Sequence, residues 1–259
     1  MTWTTRPRSD RGRLKAIVAG KGPRIVLLHG VGLRAEAWNA QTDVLSRQFH
    51  VTALDLPGHG QNKRLQATEA VSDYSEDIAR CLDEPAVLVG HSFGAMIALD
   101  LAHRHPHLVL GVAALNAIKG RSPQAAKAVQ ARAAMLDGIT NPDPNGTLER
   151  WFGTAPSEER SACKGWLTQT DPAGYKSAYS IFAKSDGPTD AALGALTCPA
   201  LFATGADEPN STPAMSRRMA DLTPRGQALI VEGAAHMMPM THPSIVTDAL
   251  RSLATEACS

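Results

Sequence analysis

Long apolar runs are missing from this chain of 259 residues. The longest near-apolar stretch, 108–118, is far too short to span a bilayer and is interrupted by Asn116. The start, Met1-Thr2-Trp3-Thr4-Thr5-Arg6-Pro7-Arg8, carries arginines but no apolar segment of a secretory signal. Its arginines are expected to flank a surface hairpin, and the protein is expected to be soluble and cytoplasmic, with no membrane partner. Cysteine is scarce: Cys81, Cys163, Cys198 and Cys258 show no C-x-x-C or His-Cys spacing, which excludes a metal centre and reads as reduced, structural thiols. An excess of one charge is absent too. Lys and Arg total 26 against 25 for Asp and Glu, a net charge of +1, and no basic stripe points to nucleic acid. The expected partner is a small molecule, neutral or mildly charged, and the chain is expected as a monomer or small homo-oligomer. Neither G-x-G-x-x-G nor a P-loop occurs, which leaves no cofactor to expect.

What is present is an alternation of short apolar runs with helical patterns, the sequence form of a mostly parallel sheet covered on both faces. The runs are 14–19, 24–28, 51–54, 86–89, 110–115, 200–204 and 228–231, each ending at a polar or glycine-rich turn. Between 119 and 188 the alternation stops, and the segment reads as helix over 124–136, 147–152, 157–168 and 172–184. Ser122-Pro123 and Asp171-Pro172 each put a capping oxygen before a proline at the first helical position. A core of 1–118 and 189–259 with a helical cap of 119–188 is therefore expected. Trp151, Phe152, Trp166, Tyr175, Tyr179 and Phe182 gather in that cap, and Trp151 is the candidate substrate-binding residue.

Chemistry concentrates at Gly90-His91-Ser92-Phe93-Gly94, placed directly after the run 86–89 and before the helix-like run from Ala95. Strand, sharp turn and helix are the context a G-x-S-x-G nucleophile elbow requires, and the turn is so tight that side chains two residues either side of the serine would collide with neighbouring backbone. A serine hydroxyl attacks only when a base takes its proton, so the elbow calls for a histidine held by an acid. His236, in Gly233-Ala234-Ala235-His236 just past the last run, is the candidate base. His103, His105 and His107 cluster after the elbow helix, where a helix C-terminus favours cations. Asp207 and Glu208 lie adjacent at a strand end between serine and histidine. Their side chains leave in different directions, so one reaches the base and the other meets solvent. An oxyanion needs backbone N–H donors: Phe93 offers one, and Val31 in His29-Gly30-Val31-Gly32-Leu33 is the expected second. Asp55-Leu56-Pro57-Gly58-His59-Gly60 reads as a structural turn.

These motifs, in this order, resemble the landmarks of the α/β-hydrolase superfamily over essentially the whole length. The resemblance implies an α/β fold with a mostly parallel eight-stranded sheet flanked by helices and an inserted helical cap. The single cap and Asp171-Pro172-Ala173-Gly174-Tyr175 look like the branch of 3-oxoadipate enol-lactonases, small carboxylesterases and carbon–carbon bond hydrolases. Within that branch the acid stands three residues after the strand-terminal glycine, which from Gly205 gives Glu208, where an aspartate is the commoner occupant. The expected activity is hydrolysis of a small carboxylic ester or lactone through an acyl-enzyme on Ser92. The alternatives are carbon–carbon cleavage of a β-diketone-like substrate, or a non-catalytic ligand-binding protein on the same fold.

Overall fold

The computed structural model describes residues 2–259; Met1, where the N-terminal segment read above begins, lies outside them. Eight strands form one sheet in the order β1-β2-β4-β3-β5-β6-β7-β8. They are β1 (Ser9–Arg11), β2 (Leu14–Ala19), β3 (Arg24–Leu28), β4 (His50–Leu54), β5 (Ala86–His91), β6 (Val109–Leu115), β7 (Ala200–Gly205) and β8 (Gly226–Val231). β1 and β2 pair antiparallel, as do β2 and β4, and every other neighbouring pair is parallel. Among the described residues the α-helices, in chain order, are α1 (Asn39–Leu45), α2 (Val71–Ala79), α3 (Phe93–Arg104), α4 (Pro123–Ala134), α5 (Asn145–Phe152), α6 (Glu158–Gln169), α7 (Pro172–Lys184), α8 (Asp190–Gly194), α9 (Pro213–Leu222), α10 (Met238–Thr241) and α11 (Pro243–Ala257).

Central strands bury both faces, which is why they read as continuous apolar runs rather than alternating ones. In β3, Val26 and Leu28 pack into a core shared with Ile97 and Leu101 of α3, while Ile25 and Leu27 pack into the opposite core with Leu45, Leu250 and Leu253. A third apolar cluster joins the helices inserted between β6 and β7 to the rest, uniting Leu148, Trp166, Leu167, Tyr175 and Tyr179 with Leu33, Met237 and Met240. The proline-led starts in that insertion are capped by side chains. Ser122 Oγ accepts from the Ala125 N–H, and Asp171 accepts from the N–H groups of Ala173 and Gly174. α7 then lies backbone to backbone on the turn at Gly58, where a Cβ on Gly58 would come within 2.8 Å of Gly174 Cα.

The N-terminal arginines require a correction. β1 and β2 do make a hairpin, but Arg8 is not on its surface: its side chain is 3% exposed and bonds Glu36 (2.6 Å) and Asp55 (2.8 Å), both fully buried. Burial alone would lower the Arg8 pKa, but the bonds to Glu36 and Asp55 outweigh it and raise the value, so the guanidinium stays charged. Asp55 also accepts from the N–H groups of Ala35 and Gln61, so the Asp55 turn and the loop after β3 hang on one buried ion cluster. Breaking a buried pair from one side leaves charge without a partner. Arg8→Met is expected to cost about 3–5 kcal/mol in urea unfolding, and a loss below about 1 kcal/mol, the range of exposed pairs, would contradict this account.

Candidate active site

β5 delivers Ser92 through a turn that only glycines permit. A Cβ on Gly90 would come within 2.5 Å of Ala95 Cα and collide with the Gly94 carbonyl; one on Gly94 would lie 2.6 Å from the His29 carbonyl. Ser92 itself holds φ 57° and ψ −116°, a left-handed backbone that side-chain-bearing residues rarely adopt and that raises the hydroxyl above the strand ends. The strain is held by hydrogen bonds, since Ser92 N–H donates to the Leu115 carbonyl at 2.8 Å and its own carbonyl receives the N–H of Ala95. Phe93 N–H opens α3, where no intrahelical acceptor exists for it. The loop after β3 passes against the serine: a Cβ on Gly30 would stand 3.2 Å from Ser92 Cβ, and Val31 lines the same cavity.

The two adjacent carboxylates separate as expected of neighbours leaving a strand. Asp207 is exposed, whereas Glu208 is buried and its Oε2 accepts from His236 Nδ1 at 2.7 Å. Oε1 of Glu208 receives the N–H groups of Asn210 and Ser211. Burial would raise the Glu208 pKa, but the His236 charge and hydrogen bond, with those two N–H groups, bring it down to about 2. The bond fixes Nδ1 as the protonated nitrogen and leaves Nε2 free to accept. Ser92 and His236 line one cavity of about 510 Å³, with no hydrogen bond between them among the described residues.

Several participants carried no sequence signal. His91, fully buried, donates from Nε2 to the His236 carbonyl at 2.7 Å, tying the base-bearing loop to the elbow. Burial and then the neighbouring His236 push the His91 pKa down to about 3, so it stays neutral. Asn116 ends β6 at φ 54° and donates to Thr204 Oγ1, which in turn donates to the Ser211 carbonyl and closes the Glu208 loop. Trp151, the residue expected to bind substrate, lines the cavity from α5, and what the sequence did not signal is its stack on the His236 ring at 5.5 Å between centroids and 21° between planes. Cations also collect there. Arg121, Arg132 and Arg150 line the wall, and among the described residues none of the three pairs with a carboxylate. Burial and then the charge of Arg132 lower the Arg150 pKa, which records two like charges held together. Among the described residues no His, Cys, Asp and Glu group has metal-binding geometry, and no helix is long and apolar enough to cross a membrane.

This sheet order, with Ser92, Glu208 and His236 in the turns that follow β5, β7 and β8, is that of an α/β-hydrolase fold, and residues 25–249 match the alpha/beta hydrolase family. The chain belongs to that family. It is 37% identical over 240 residues to an (E)-2-((N-methylformamido)methylene)succinate hydrolase of Acinetobacter baylyi, covering 90% of each chain. It is 31% identical over 252 residues to a pimeloyl-[acyl-carrier protein] methyl ester esterase of Chromobacterium violaceum, covering 91% of this chain and 94% of that one. Among solved structures it superposes on a thermophilic esterase from Thermogutta terrifontis with a TM-score of 0.84 at 23% identity, covering 99% of this chain and 100% of that one, a likeness of fold.

The depressed Glu208 pKa has a stability consequence. Its folded value, about 2, lies below the ordinary 4.5, so the ionised group contributes stability above that ordinary value and loses it as pH falls toward the folded one. The stability gap between wild type and Glu208→Gln should therefore shrink between about pH 5 and pH 2 in denaturant melts. A gap independent of pH would contradict an ionised, partnered Glu208.

Proposed function

We propose that this protein is a serine hydrolase that opens a small carboxylic ester or lactone through an acyl-enzyme on Ser92. The observation that carries the reading is the buried Glu208–His236 bond at 2.7 Å, on the cavity that also holds a serine in a strained elbow. Ser92 Oγ attacks the acyl carbon while its proton passes to His236 Nε2. The N–H groups of Val31 and Phe93 receive the developing oxyanion, at about 3–4 kcal/mol per donor. His236 then gives the proton to the departing oxygen, and a water activated by the same nitrogen hydrolyses the acyl-enzyme. The hydrogen bond from Ser92 to His236 forms with substrate in place, as such bonds commonly tighten only in the complex. Glu208 orients the imidazole and stabilises its cation.

The substrate carries carboxylate. Arg132 and Arg150 lie within each other's electrostatic reach on the wall of the cavity that Arg121 also lines, and guanidinium forks match carboxylates in two parallel bonds. This narrows the expectation of a neutral or mildly charged partner to a charged one. The Acinetobacter relative acts, by its name, on a succinate derivative, a dicarboxylate. That same name, with its N-methylformamido group, favours a second reading in which the scissile bond belongs to an N-acyl rather than an ester group. Carbon–carbon cleavage and simple ligand binding find no separate support among the cavity residues. The segment 119–188 is the cap in this reading, closing the cavity over the strand ends.

A panel of esters, lactones, β-diketones and N-acyl enamines, each with and without free carboxylates, separates these readings when run against wild type and Ser92→Ala. Hydrolysis of the anionic esters or lactones that disappears in Ser92→Ala is expected; a preference for diketones would sink the ester assignment. Glu208→Gln should lower kcat by about 10⁴, the size of the loss when the triad acid of a serine protease becomes its amide, while Asp207→Asn stays near wild type. The reverse pattern would move the acid to Asp207. Arg132→Gln or Arg150→Gln should raise KM about tenfold for a dianionic ester and leave a neutral ester unaffected. Equal effects on both esters would remove the anion-binding role.

A further inference from the structure

Trp151 sits on α5, in the helical insertion, yet its nearest aromatic partner of consequence belongs to the core. The indole stacks on the His236 imidazole with centroids 5.5 Å apart and planes 21° apart. On the same imidazole, Glu208 bonds Nδ1 at 2.7 Å, and the His91 ring approaches at 4.9 Å with a 55° tilt. A single hydrogen bond along Nδ1···Oε2 leaves the ring free to pivot about that axis. A stacked indole does not, because rotation would break face contact. We infer that Trp151 is a positioning residue for His236: its indole holds the plane of the base and, as the imidazole becomes an imidazolium, stabilises the cation through its π face.

The second effect is selective for the reaction. An indole face attracts a cation within about 6 Å of its centroid and a neutral ring far less. His236 is neutral before Ser92 loses its proton and cationic afterwards, so the attraction grows on the way to the transition state and lowers the barrier rather than merely tightening binding. The proton itself travels from Ser92 Oγ to His236 Nε2 and onward to the leaving group; Trp151 exchanges nothing. The charged and titratable groups facing this imidazole are Glu208 after β7 and neutral His91 on β5, with Arg132 and Arg150 further along the cavity wall. Of these, only Glu208 favours the cation by charge, and the indole adds to it from a different direction. Arg150 directly precedes Trp151 on α5, so a carboxylate held by Arg150 also fixes the helical turn that presents the indole. The insertion thereby supplies part of the machinery of the base and not only a wall for the substrate.

This inference rests on His236 acting as the general base, and its test separates the two. Trp151→Leu and Trp151→Phe are assayed with a neutral ester, 4-nitrophenyl acetate, whose binding does not involve the arginines. Trp151→Leu is expected to lower kcat about tenfold with KM within twofold, and Trp151→Phe to recover most of the loss because an aromatic face remains. A raised KM with unchanged kcat would overturn the inference and make Trp151 substrate wall alone. Independently of turnover, the fluorescence of wild type minus that of Trp151→Phe isolates the indole. The same difference taken in a His236→Gln background should be brighter, because the imidazole stacked on the indole is gone. Indole fluorescence indifferent to His236 would overturn the stack itself. Absence of any ester turnover would count against the serine-hydrolase reading instead, and the fluorescence comparison would then decide the stack by itself.

Discussion

Everything in the site is arranged around one crossing of backbones, where the turn from β5 into α3 runs against the end of β3. Gly94 lies so close to the Leu28 and His29 carbonyls that no side chain fits, and a Cβ on Gly30 would stand in tighter than usual contact with Ser92 Cβ, at 3.2 Å. That approach puts the loop bearing Val31 beside the serine and forces Ser92 into its left-handed backbone. The cost of such a backbone is of order 1–3 kcal/mol and persists only where surrounding structure over-determines it. Here the Ser92 N–H bond to Leu115, the buried β5 and the apolar α3 do so. Remote parts contribute as well. The buried cluster of Arg8, Glu36 and Asp55 anchors Ala35, five residues beyond Gly30, so an arginine at the sheet's far edge steadies the loop next to the nucleophile.

The histidine is held by a different logic, through contacts that reach its ring and carbonyl from outside its own loop. Three segments far apart in sequence meet it. Glu208 bonds its ring, His91 bonds its carbonyl, and Trp151 covers its face. Each contact removes a different freedom of the ring or loop. Glu208 survives as an anion there in spite of its burial: desolvation opposes ionisation, and the histidine with two backbone N–H groups outweighs it.

The elbow, its glycines and the apolar runs of β2 to β8 were legible because each is a local pattern that sterics or period dictates, whereas the order of the strands in the sheet is set by long-range pairing that no local pattern encodes. Glu208 was favoured over Asp207 only by the spacing that the family resemblance implies, and the structure gives the physical reason: neighbouring side chains leave the end of β7 in different directions, Asp207 to solvent and Glu208 to the interior. Arg8 was not legible as buried, because its partners lie 28 and 47 residues away and the hairpin pattern around it fits a surface equally well. Arg132 and Arg150 sit on separate helices, so no run of charge announced them, and a net charge of +1 hid a cavity wall that is locally cationic. Trp151 was expected to face substrate; its stack on His236 depends on how the insertion docks, which no local pattern encodes.

The central claim is that Ser92 is the nucleophile of this cavity, and covalent capture tests it most directly. A fluorophosphonate traps an activated serine and not an ordinary one, because attack on phosphorus needs the same base and oxyanion donors as attack on an acyl carbon. After incubation and proteolysis, mass spectrometry should find one phosphonyl adduct on the peptide containing Ser92, and none on that peptide from His236→Gln treated alike. An adduct on another residue, or an unmodified Ser92 peptide in the wild type, would contradict the account.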